Sequence, residues 1–367
     1  MNAAATKYDG VTKYIRITDI DEESHKFRSD AITSPDEEAA DQFILHKGDI
    51  VFARTGASVG KSYLYNEADG NLAFAGFLIR FSICSKQANP FFIFLRTQTQ
   101  KYWRWVKVYS MRSGQPGINA EEYKTFPVHT PSLPEQEKIA AFLTSVDDRI
   151  DQLKRKKSLL QDYKKGAMQK LFSQELRFKD EQGKDFPDWE EKKLGEVAEV
   201  NPRNTDLPSE FLYIDLESVK KGQLSTPDLI SKEDAPSRAQ RVLNKDDILY
   251  QTVRPYQKNN YYFDLDGTYV ASTGYAQLRT LESPQFVYQL LHTTAFLNQV
   301  LRRCTGTSYP AINSSDLGGI QINIPSIPEQ TKIANFLSTL DHKIEQVDTQ
   351  ITQSQTFKKG LLQQMFV

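Results

Sequence analysis

The sequence predicts an α+β fold: two globular domains separated by an antiparallel coiled coil of two long helices. Three observations support this prediction. A segment of 42 residues occurs twice, both copies carry apolar residues at a helical 3-4 spacing, and short β-rich runs fill the stretch before each copy. The length of 367 residues allows several domains that each bury a core.

The internal repeat is the strongest of these signals. Residues 131–172 and 325–366 align without a gap at an offset of 194, and about 19 of the 42 positions are identical. Weaker similarity precedes each copy, where residues 46–52 parallel residues 244–250. The repeated segments are therefore alike, and the stretches before them have diverged. This pattern predicts domains at 1–130 and 174–324 and spacer helices at 131–173 and 325–367.

Each copy of the repeat has the sequence features of a long helix. It opens with Pro-x-x-Pro-Glu-Gln, which places proline and acid in a first helical turn. Apolar residues then occupy the a and d positions of a coiled-coil seam, interrupted by Lys157, Lys164, Ser354 and Lys358. Two copies in one chain most simply pack against each other, although such helices also serve only to dimerise or stiffen a protein. The residues expected to pack are Ile139, Leu143, Val146, Ile150, Leu153, Ile333, Leu337, Leu340, Ile344 and Val347.

Both domains show strand-like runs punctuated by Gly, Asn and Asp. The predicted strands lie within residues 44–54, 72–84, 247–253 and 261–265. One helix is expected before each repeat copy, from Pro90 to about Val106 and from Pro284 to about Arg303. Each domain is thus predicted to be an α+β module.

The charge is unevenly distributed along the chain. The formal net charge is −1, whereas counterion release favours a basic surface in a DNA-binding protein. Nine acidic residues lie between Asp19 and Asp41, and no Asp or Glu occurs in residues 71–120, which carry seven Lys and Arg. The near-neutral total therefore hides one strongly basic stretch.

Cations, amides and aromatics gather in predicted loops of both domains. Lys and Arg neutralise phosphates, and Arg and Gln reach base edges, so these groups are candidate DNA contacts. For any single cation the alternative is a solvated surface charge, and Trp103 and Trp105 are expected to pack rather than to stack on bases. The candidates in the first domain are Arg54, Lys61, Lys101, Arg104, Lys107, Arg112, Ser113 and Gln115. Those in the second domain are Arg238, Arg241, Arg254, Lys258, Asn259, Asn260, Arg302, Arg303, Ser308 and Tyr309.

The sequence contains no arrangement that indicates catalysis. The five histidines and two cysteines match no metal-ligand spacing, so no metal site is expected. Residues 55–62, Thr-Gly-Ala-Ser-Val-Gly-Lys-Ser, lack the first glycine of a phosphate-binding loop. The sequence contains no run of 18 apolar residues, so no membrane span is expected. No secretory signal is evident either, and a cytoplasmic location is therefore expected.

With these features in view, the sequence resembles the specificity (S) subunits of Type I restriction-modification systems. The resemblance covers nearly the whole chain. Its most specific marks are the Pro-Glu-Gln-x-Lys-Ile-Ala-x-Phe-Leu motifs at 134–143 and 328–337. The Lys-Gly-Asp-Ile and Lys-Asp-Asp-Ile strands at 47–50 and 245–248 match as well, as does the segment 186–197 at the start of the second domain.

The resemblance implies a DNA-binding subunit whose two target-recognition domains each recognise one half of an asymmetric, bipartite DNA site. It implies that the helices fix the gap and recruit two methyltransferase (M) subunits, with restriction (R) subunits further out. S-adenosylmethionine, ATP and Mg²⁺ would then belong to those partners, and this chain would need no cofactor. The alternative is a scaffold or anti-restriction protein that binds methyltransferase subunits without recognising DNA. Such a DNA mimic is expected to present acidic loops, whereas these loops are basic.

The first domain departs from the second at its start. About 26 residues separate Phe186 from the strand at Tyr213, but only 13 residues precede the matching Tyr14. The comparison predicts that the first domain lacks an opening segment containing counterparts of Trp189 and Leu194. The alternative is a domain type that begins shorter.

Overall fold

The structure is a computed structural model that describes residues 3–36, 40–204 and 206–366. The chain divides into two units, the first formed by residues 1–155 and 348–367 and the second by residues 156–347. Each unit combines a body of short strands and helices with part of both long helices. The predicted α+β class is confirmed. Among the described residues, none of the helices has the length and apolar character needed to cross a membrane.

The body of the first unit is a set of short sheets with three short helices. Its strands are β1 (Ala5–Lys7), β2 (Lys13–Ile15), β3 (Thr33–Pro35), β4 (Asp49–Ala53), β5 (Ser62–Leu64), β6 (Leu72–Phe74) and β7 (Leu78–Ser82). Its helices are α1 (Pro90–Arg96), α2 (Gln100–Tyr109) and α3 (Ala120–Lys124), followed by the long α4 (Leu133–Phe172). Strand β4 lies between β5 and β7, antiparallel to both, and β2 pairs in parallel with β6.

Strand β4 is at the centre of the first unit because both of its faces are covered. All five of its residues are buried. On one face Phe52 packs against Tyr102 of α2 and Tyr123 of α3, with 5.0 Å between the Phe52 and Tyr123 ring centroids. On the other face Val51 joins a cluster with Ile15 of β2. The chain that leaves β4 therefore starts from a rigid base.

The second unit repeats this plan with longer sheets. Its strands are β8 (Glu190–Lys193), β9 (Ala198–Val200), β10 (Glu210–Ile214), β11 (Val219–Lys220), β12 (Gln223–Leu224), β13 (Asp228–Ser231), β14 (Ala239–Val242), β15 (Ile248–Gln251), β16 (Tyr261–Tyr262), β17 (Tyr269–Ser272), β18 (Tyr275–Thr280) and β19 (Gln321–Ile324). Its helices are α5 (Leu194–Val197), α6 (Pro284–Leu291), α7 (Thr294–Arg303), α8 (Ser314–Gly318) and the long α9 (Ile327–Met365). One sheet has the order β16-β15-β18-β9 and another the order β13-β10-β17-β14.

A buried aspartate precedes or opens the central strand of each unit. Asp49 accepts the backbone N–H of His46 at 2.9 Å, and Asp247 accepts that of Asn244 at 2.7 Å. Asp247 also pairs with Arg279 of β18 at 2.8 Å. A buried carboxylate without such donors would be destabilising, so this Asp has a structural role in both repeats.

The single helix predicted before each repeat copy is in fact two helices, and that prediction was wrong at both places. In the first unit the chain breaks between α1 and α2, where the Thr99 hydroxyl accepts the N–H of Tyr102. In the second unit Thr293 does the same for Phe296 between α6 and α7. A threonine side chain that satisfies a free N–H in this way starts a new helix.

The long helices pack antiparallel within each unit. In the first unit the early part of α4 contributes Leu143 to a buried cluster with Leu362 and Phe366 of α9. In the second unit the end of α4 contributes Leu171 to a cluster with Leu337 of α9. Early residues of one helix thus meet late residues of the other. All ten residues expected in the seam are buried or half-buried.

Two of the lysines that interrupt the predicted seam form ion pairs. Lys358 Nζ lies 2.7 Å from Asp147 in the first unit, and Lys164 Nζ lies 2.6 Å from Asp341 in the second. Asp341 follows Asp147, and Lys358 follows Lys164, by the repeat offset of 194. The same pair therefore forms once in each unit, and the antiparallel arrangement supplies its partner.

The glutamine of the Pro-Glu-Gln motif joins each long helix to the body of its unit. The buried Gln136 accepts the N–H of Asn89 at the start of α1 and donates to the Pro131 carbonyl, both at 2.9 Å. Gln330 accepts the N–H of Ser283 at the start of α6 and donates to the Pro325 carbonyl. The motif thus holds α1 to α4 in the first copy and α6 to α9 in the second.

The opening segment of the second domain is fully integrated into its unit. Strand β8 pairs antiparallel with β19, and Trp189 packs edge-on against Phe172 and Phe286. Residues 127–130, which match β19 in the repeat, form no strand in the first unit, and Val128 is exposed. The two units therefore differ at this edge.

Candidate nucleic-acid interface

In the first unit, two loops from distant parts of the sequence are hydrogen-bonded side by side. The turn after β4 begins at Arg54, and the loop before α3 ends at Ile118. The N–H of Gly56 donates to the Pro116 carbonyl, and the N–H of Ile118 donates to the Arg54 carbonyl, both at 2.9 Å. Thr55 and Gly117 form a β-bridge between these bonds. The basic loop at 110–118 is therefore fixed to the central strand.

The second unit contains the same pair of loops. The N–H of Arg254 donates to the Pro310 carbonyl at 2.8 Å, and that of Ile312 donates to the Thr252 carbonyl at 3.1 Å. Val253 and Ala311 form the bridge. We call this arrangement the paired-loop framework, residues 54–56 with 116–118 in the first unit and 252–254 with 310–312 in the second. The backbone hydrogen bonds of the framework correspond one to one between the two units, while the side chains differ.

The turn after β4 is not a phosphate cradle, in agreement with the sequence argument. Gly60 has a positive φ of 90°, and a Cβ there would lie 2.7 Å from Val106 of α2. Its N–H donates to the Ala53 carbonyl, and its own carbonyl accepts the Tyr102 hydroxyl at 2.6 Å. These groups hold the turn against α2 and leave no open ring of N–H groups.

Cations of the first unit lie on one side of α2 and beside the framework. Lys101, Arg104 and Lys107 are exposed at spacings of three, while Tyr102 and Val106 face the core. Arg54, Ser113 and Gln115 are exposed next to them in the loops. Trp105 stacks on Tyr109 and packs against Phe126 of the core cluster, while Trp103 is partly exposed.

Two residues of the first unit that were predicted to contact DNA make contacts within the unit instead. Lys61 is 7% exposed, and its ammonium lies 3.7 Å from Glu22. Little of its side chain is accessible for the predicted DNA contact, because the turn before it folds against α2. Arg112 pairs with Glu122 of α3 and donates to two backbone carbonyls, so its guanidinium braces the loop.

Several predicted residues of the second unit are likewise turned inward. Asn260 is 2% exposed and accepts the N–H of Gln251, so its side chain is not accessible in this structure for the predicted contact with DNA. Lys258 donates to the His292 carbonyl, and burial lowers the pKa of Lys258. Burial also lowers the pKa of the half-buried Arg241. Asn259 accepts the N–H of Lys221. These residues support the fold because neighbouring strands and helices cover them.

The remaining candidates of the second unit are accessible. Arg238, Arg302 and Ser308 are exposed. The Arg303 guanidinium donates to the Gln299 carbonyl at 3.2 Å and is half-buried. Arg254 lies over the ring of Tyr309, with 4.3 Å from its guanidinium carbon to the ring centroid. Tyr309 itself is exposed, as is the neighbouring Tyr256, which sequence analysis did not single out.

The structure adds a concave surface to the first unit. A cavity of about 760 Å³ adjoins the framework, lined by Arg16, Thr18, Arg54, Thr55 and Phe77 among others. Phe77 is largely exposed at this cavity. The one sequence signal for Phe77 was the parallel between Ala75-Gly76-Phe77 and Thr273-Gly274-Tyr275, in which an aromatic residue follows a glycine in both units.

No metal centre is evident in the part of the chain that the structure describes. Within residues 3–36, 40–204 and 206–366, no group of three His, Cys, Asp or Glu side chains is placed to hold a metal ion. The accessible groups of the framework are cations, amides, hydroxyls and aromatic rings. These groups bind phosphates and base edges.

Comparisons with known proteins identify the family. Residues 1–161 and 187–353 match the Type I restriction modification DNA specificity domain. The chain therefore belongs to this family, and each match contains one copy of the paired-loop framework.

The similar curated proteins are specificity subunits of Type I restriction enzymes. The HindI subunit of Haemophilus influenzae is 28% identical over 190 residues, which cover 49% of this chain and 41% of that one. The chain thus spans less than half of that relative. The MjaVIII subunit of Methanocaldococcus jannaschii is 23% identical over 340 residues, covering 88% of this chain and 79% of that one.

Solved structures share the fold. The S subunit of a Type I restriction-modification system from M. genitalium has a TM-score of 0.61 at 16% identity, covering 100% of this chain and 93% of that one. A chain from a study of complex assembly and conformational transition in a Type I system has a TM-score of 0.55 at 18% identity, covering 100% and 94%. At such identities the likeness concerns the fold alone.

Proposed function

We propose that this chain is the DNA-specificity subunit of a Type I restriction-modification complex, and that each unit recognises one half of a bipartite, asymmetric target. The observation that carries this proposal is the paired-loop framework, which occurs once in each unit with different exposed side chains. Similar backbones place the two surfaces alike, and different side chains give them different sequence preferences. The family membership and the names of the relatives support the same function.

The chemistry is assigned to partners. Methylation with S-adenosylmethionine and ATP-dependent cleavage with Mg²⁺ would be carried out by methyltransferase and restriction subunits, and this chain would act without a cofactor. The exposed groups of the framework suit binding, and the sequence offers no nucleophile–base arrangement.

The charge of the framework surface leads to a quantitative test with DNA. Apart from Arg112, which pairs with Glu122, six cations are exposed in or beside it: Arg54, Lys101, Arg104, Lys107, Arg238 and Arg302. Six phosphate contacts would give a slope of about −5 in a plot of log affinity against log salt. The full chain, with its methyltransferase subunits, is titrated with duplex DNA in a gel-shift series at several salt concentrations.

A charge-matched comparison locates the contact. Replacing Lys101, Arg104 and Lys107 by alanine should reduce the slope by about 3. Replacing Lys47, Lys86 and Lys124, three exposed lysines of the same unit outside the framework, should leave it unchanged. Equal slopes in both triple variants would exclude α2 as a DNA-binding element. Absent or salt-insensitive binding by the wild-type complex would instead favour the non-recognising scaffold.

The long helices carry a feature that suits two copies of one partner. Tyr163 of α4 and Phe357 of α9 occupy equivalent repeat positions, and they are 57% and 56% exposed. Large exposed aromatics on a helix are typical of protein-binding surfaces. We assign these positions to the two methyltransferase subunits.

The stoichiometry of the complex tests this assignment. Native mass spectrometry of the wild-type complex should give two methyltransferase subunits per chain. The single variants Tyr163→Ser and Phe357→Ser should each leave one bound methyltransferase subunit. Tyr163→Phe should retain both subunits, because it keeps the aromatic surface. Two bound subunits in the double serine variant would refute the assignment.

A further inference from the structure

Arg254 holds a backbone conformation that costs free energy. Its φ is 54° and its ψ is 53°, in the left-handed region. At the same framework position the first unit has Gly56, with a φ of 78°. Glycine adopts this region readily, whereas a residue with a Cβ is strained there. Such strain clusters at binding sites, where the side chain is needed for function.

The strained backbone places the Arg254 guanidinium over an exposed ring. Its central carbon lies 4.3 Å from the centroid of Tyr309, which is 63% exposed. Among the described residues no carboxylate lies within ion-pair distance of Arg254. By contrast, Arg279 of the same unit is held by Asp247 at 2.8 Å. The Arg254 donors therefore remain available while the ring orients their plane.

A planar, oriented guanidinium suits a base edge better than a phosphate. Arginine donates two parallel hydrogen bonds to O6 and N7 of guanine in the major groove, and this contact requires a defined plane. Stacking on Tyr309 sets that plane in advance, so less conformational freedom is lost on binding. Exposed cations such as Arg238 and Arg302 suffice for phosphates, which tolerate many approach directions.

The first unit presents a different group at the matching place. Gln115 corresponds to Tyr309 by the repeat offset of 194. Its amide lies over Gly56, so close that a Cβ on the glycine would be 3.2 Å from Nε2. A carboxamide pairs with N6 and N7 of adenine through one donor and one acceptor. The facing pair Arg254–Tyr309 thus carries guanine-binding chemistry in the second unit, and the matching pair Gly56–Gln115 carries adenine-binding chemistry in the first.

We infer that Arg254, oriented by Tyr309, recognises a guanine in the half-site of the second unit, and that Gln115 recognises an adenine in the half-site of the first. This inference rests on the proposed function. It makes the two halves of the target differ in the base that is recognised, because the matched pair of loops presents an arginine in the second unit and a glutamine in the first.

The test maps methylated DNA in cells that express the full complex with each variant. Arg254→Gly removes the guanidinium and suits the left-handed backbone, as Gly56 does, so the fold is retained. Gln115→Ala is the reciprocal variant in the first unit. Tyr309→Phe keeps the stacking ring and serves as the conservative control. Sequencing of the methylated sites gives both half-sites for each variant.

In the Arg254→Gly variant we expect one guanine position of one half-site to be relaxed and the other half-site to be unchanged. Discrimination at that position should fall on the order of 10- to 100-fold. Gln115→Ala should relax an adenine in the opposite half-site, and Tyr309→Phe should preserve the wild-type target.

Each contrary result has a distinct meaning. If Arg254→Gly leaves the wild-type motif unchanged, the inference is overturned and the proposed function stands. A uniform loss of binding across sequences, with a salt slope reduced by about 1, would make Arg254 a phosphate contact and overturn its role in base recognition. A wild-type complex that methylates no bipartite motif would overturn the proposed function, and this inference with it.

Discussion

Glu329 offers a sharp test of how the second domain is joined to its spacer helix. Its side chain is 0% exposed in the first turn of α9. It accepts hydrogen bonds from the Arg177 guanidinium at 2.8 and 3.1 Å and from the Trp189 indole N–H at 3.2 Å. The hydrogen bond that Arg177 donates to Glu329 is the main cause of the raised pKa of Arg177. Glu135, the equivalent residue in the first repeat copy, is exposed.

The expected cost of Glu329→Ala follows from this geometry. Removing one partner of a fully buried pair costs about 3–5 kcal/mol, because the other charge is left buried. Arg177 retains 21% exposure and regains some hydration, which lowers the expected loss in the free energy of unfolding to about 2–4 kcal/mol. Glu135→Ala should change it by no more than about 0.5 kcal/mol.

Thermal unfolding of the full chain, followed by circular dichroism, measures both variants. For a unit of this size 1 kcal/mol corresponds to about 2–4 °C, so Glu329→Ala should lower the Tm of the second unit by about 5–10 °C. The Glu135→Ala control should unfold like the wild type. If the two alanine variants shift the Tm equally, the buried carboxylate does not hold the opening segment to α9.

Three further predictions concern stability. Gln330→Ala and Gln136→Ala should each lower the free energy of unfolding in urea by about 2 kcal/mol, because each leaves a backbone N–H and a carbonyl unpaired; a loss under about 0.5 kcal/mol would contradict this. Burial lowers the pKa of His292 to about 4, below the unfolded value of 6.5, so its stabilising contribution is complete above pH 6.5 and is lost as the pH falls towards 4. The loss should be about 3 kcal/mol in pH-dependent urea unfolding. It should be absent from the His292→Asn variant and retained by the variant His342→Asn, which changes an exposed histidine. In urea unfolding, the free energy of unfolding of Arg254→Gly should stay within about 1 kcal/mol of the wild-type value, because relief of the left-handed backbone strain offsets the lost ring contact. That of Arg254→Val should fall by about 2 kcal/mol. Equal losses in the two variants would argue against backbone strain at Arg254.

The sequence was sufficient to predict the long helices. From Ile139 onward the apolar residues recur at a 3-4 spacing, which places them on one continuous face only in a helix. The second copy of this pattern starts at Ile333. Local signals were weaker at helix starts. The breaks before α2 and α7 depend on single threonine caps, and threonine is also common within loops and strands, so the signal was ambiguous.

The candidate interface was predictable as a region but not residue by residue. Composition located the basic loops before Pro116 and Pro310, because the absence of acidic residues is a property of the sequence itself. Whether Lys61 or Arg54 faces solvent depends on how α2 covers the turn between them, and α2 lies some 40 residues later in the chain. Long-range packing of this kind leaves no local trace.

The sequence by itself determined that two related α+β bodies alternate with two copies of one amphipathic helix, because periodicity and repetition are read directly from residue order. Only the tertiary structure decided which side chains contact each other. In the linear sequence Lys164 and Lys358 interrupt the apolar seam. In the fold, antiparallel packing brings Asp341 to Lys164 and Asp147 to Lys358. The same is true of Arg254, whose orientation depends on a ring 55 positions later in the chain. Burial, pairing and strain arise from distant contacts, and the fold alone supplies these.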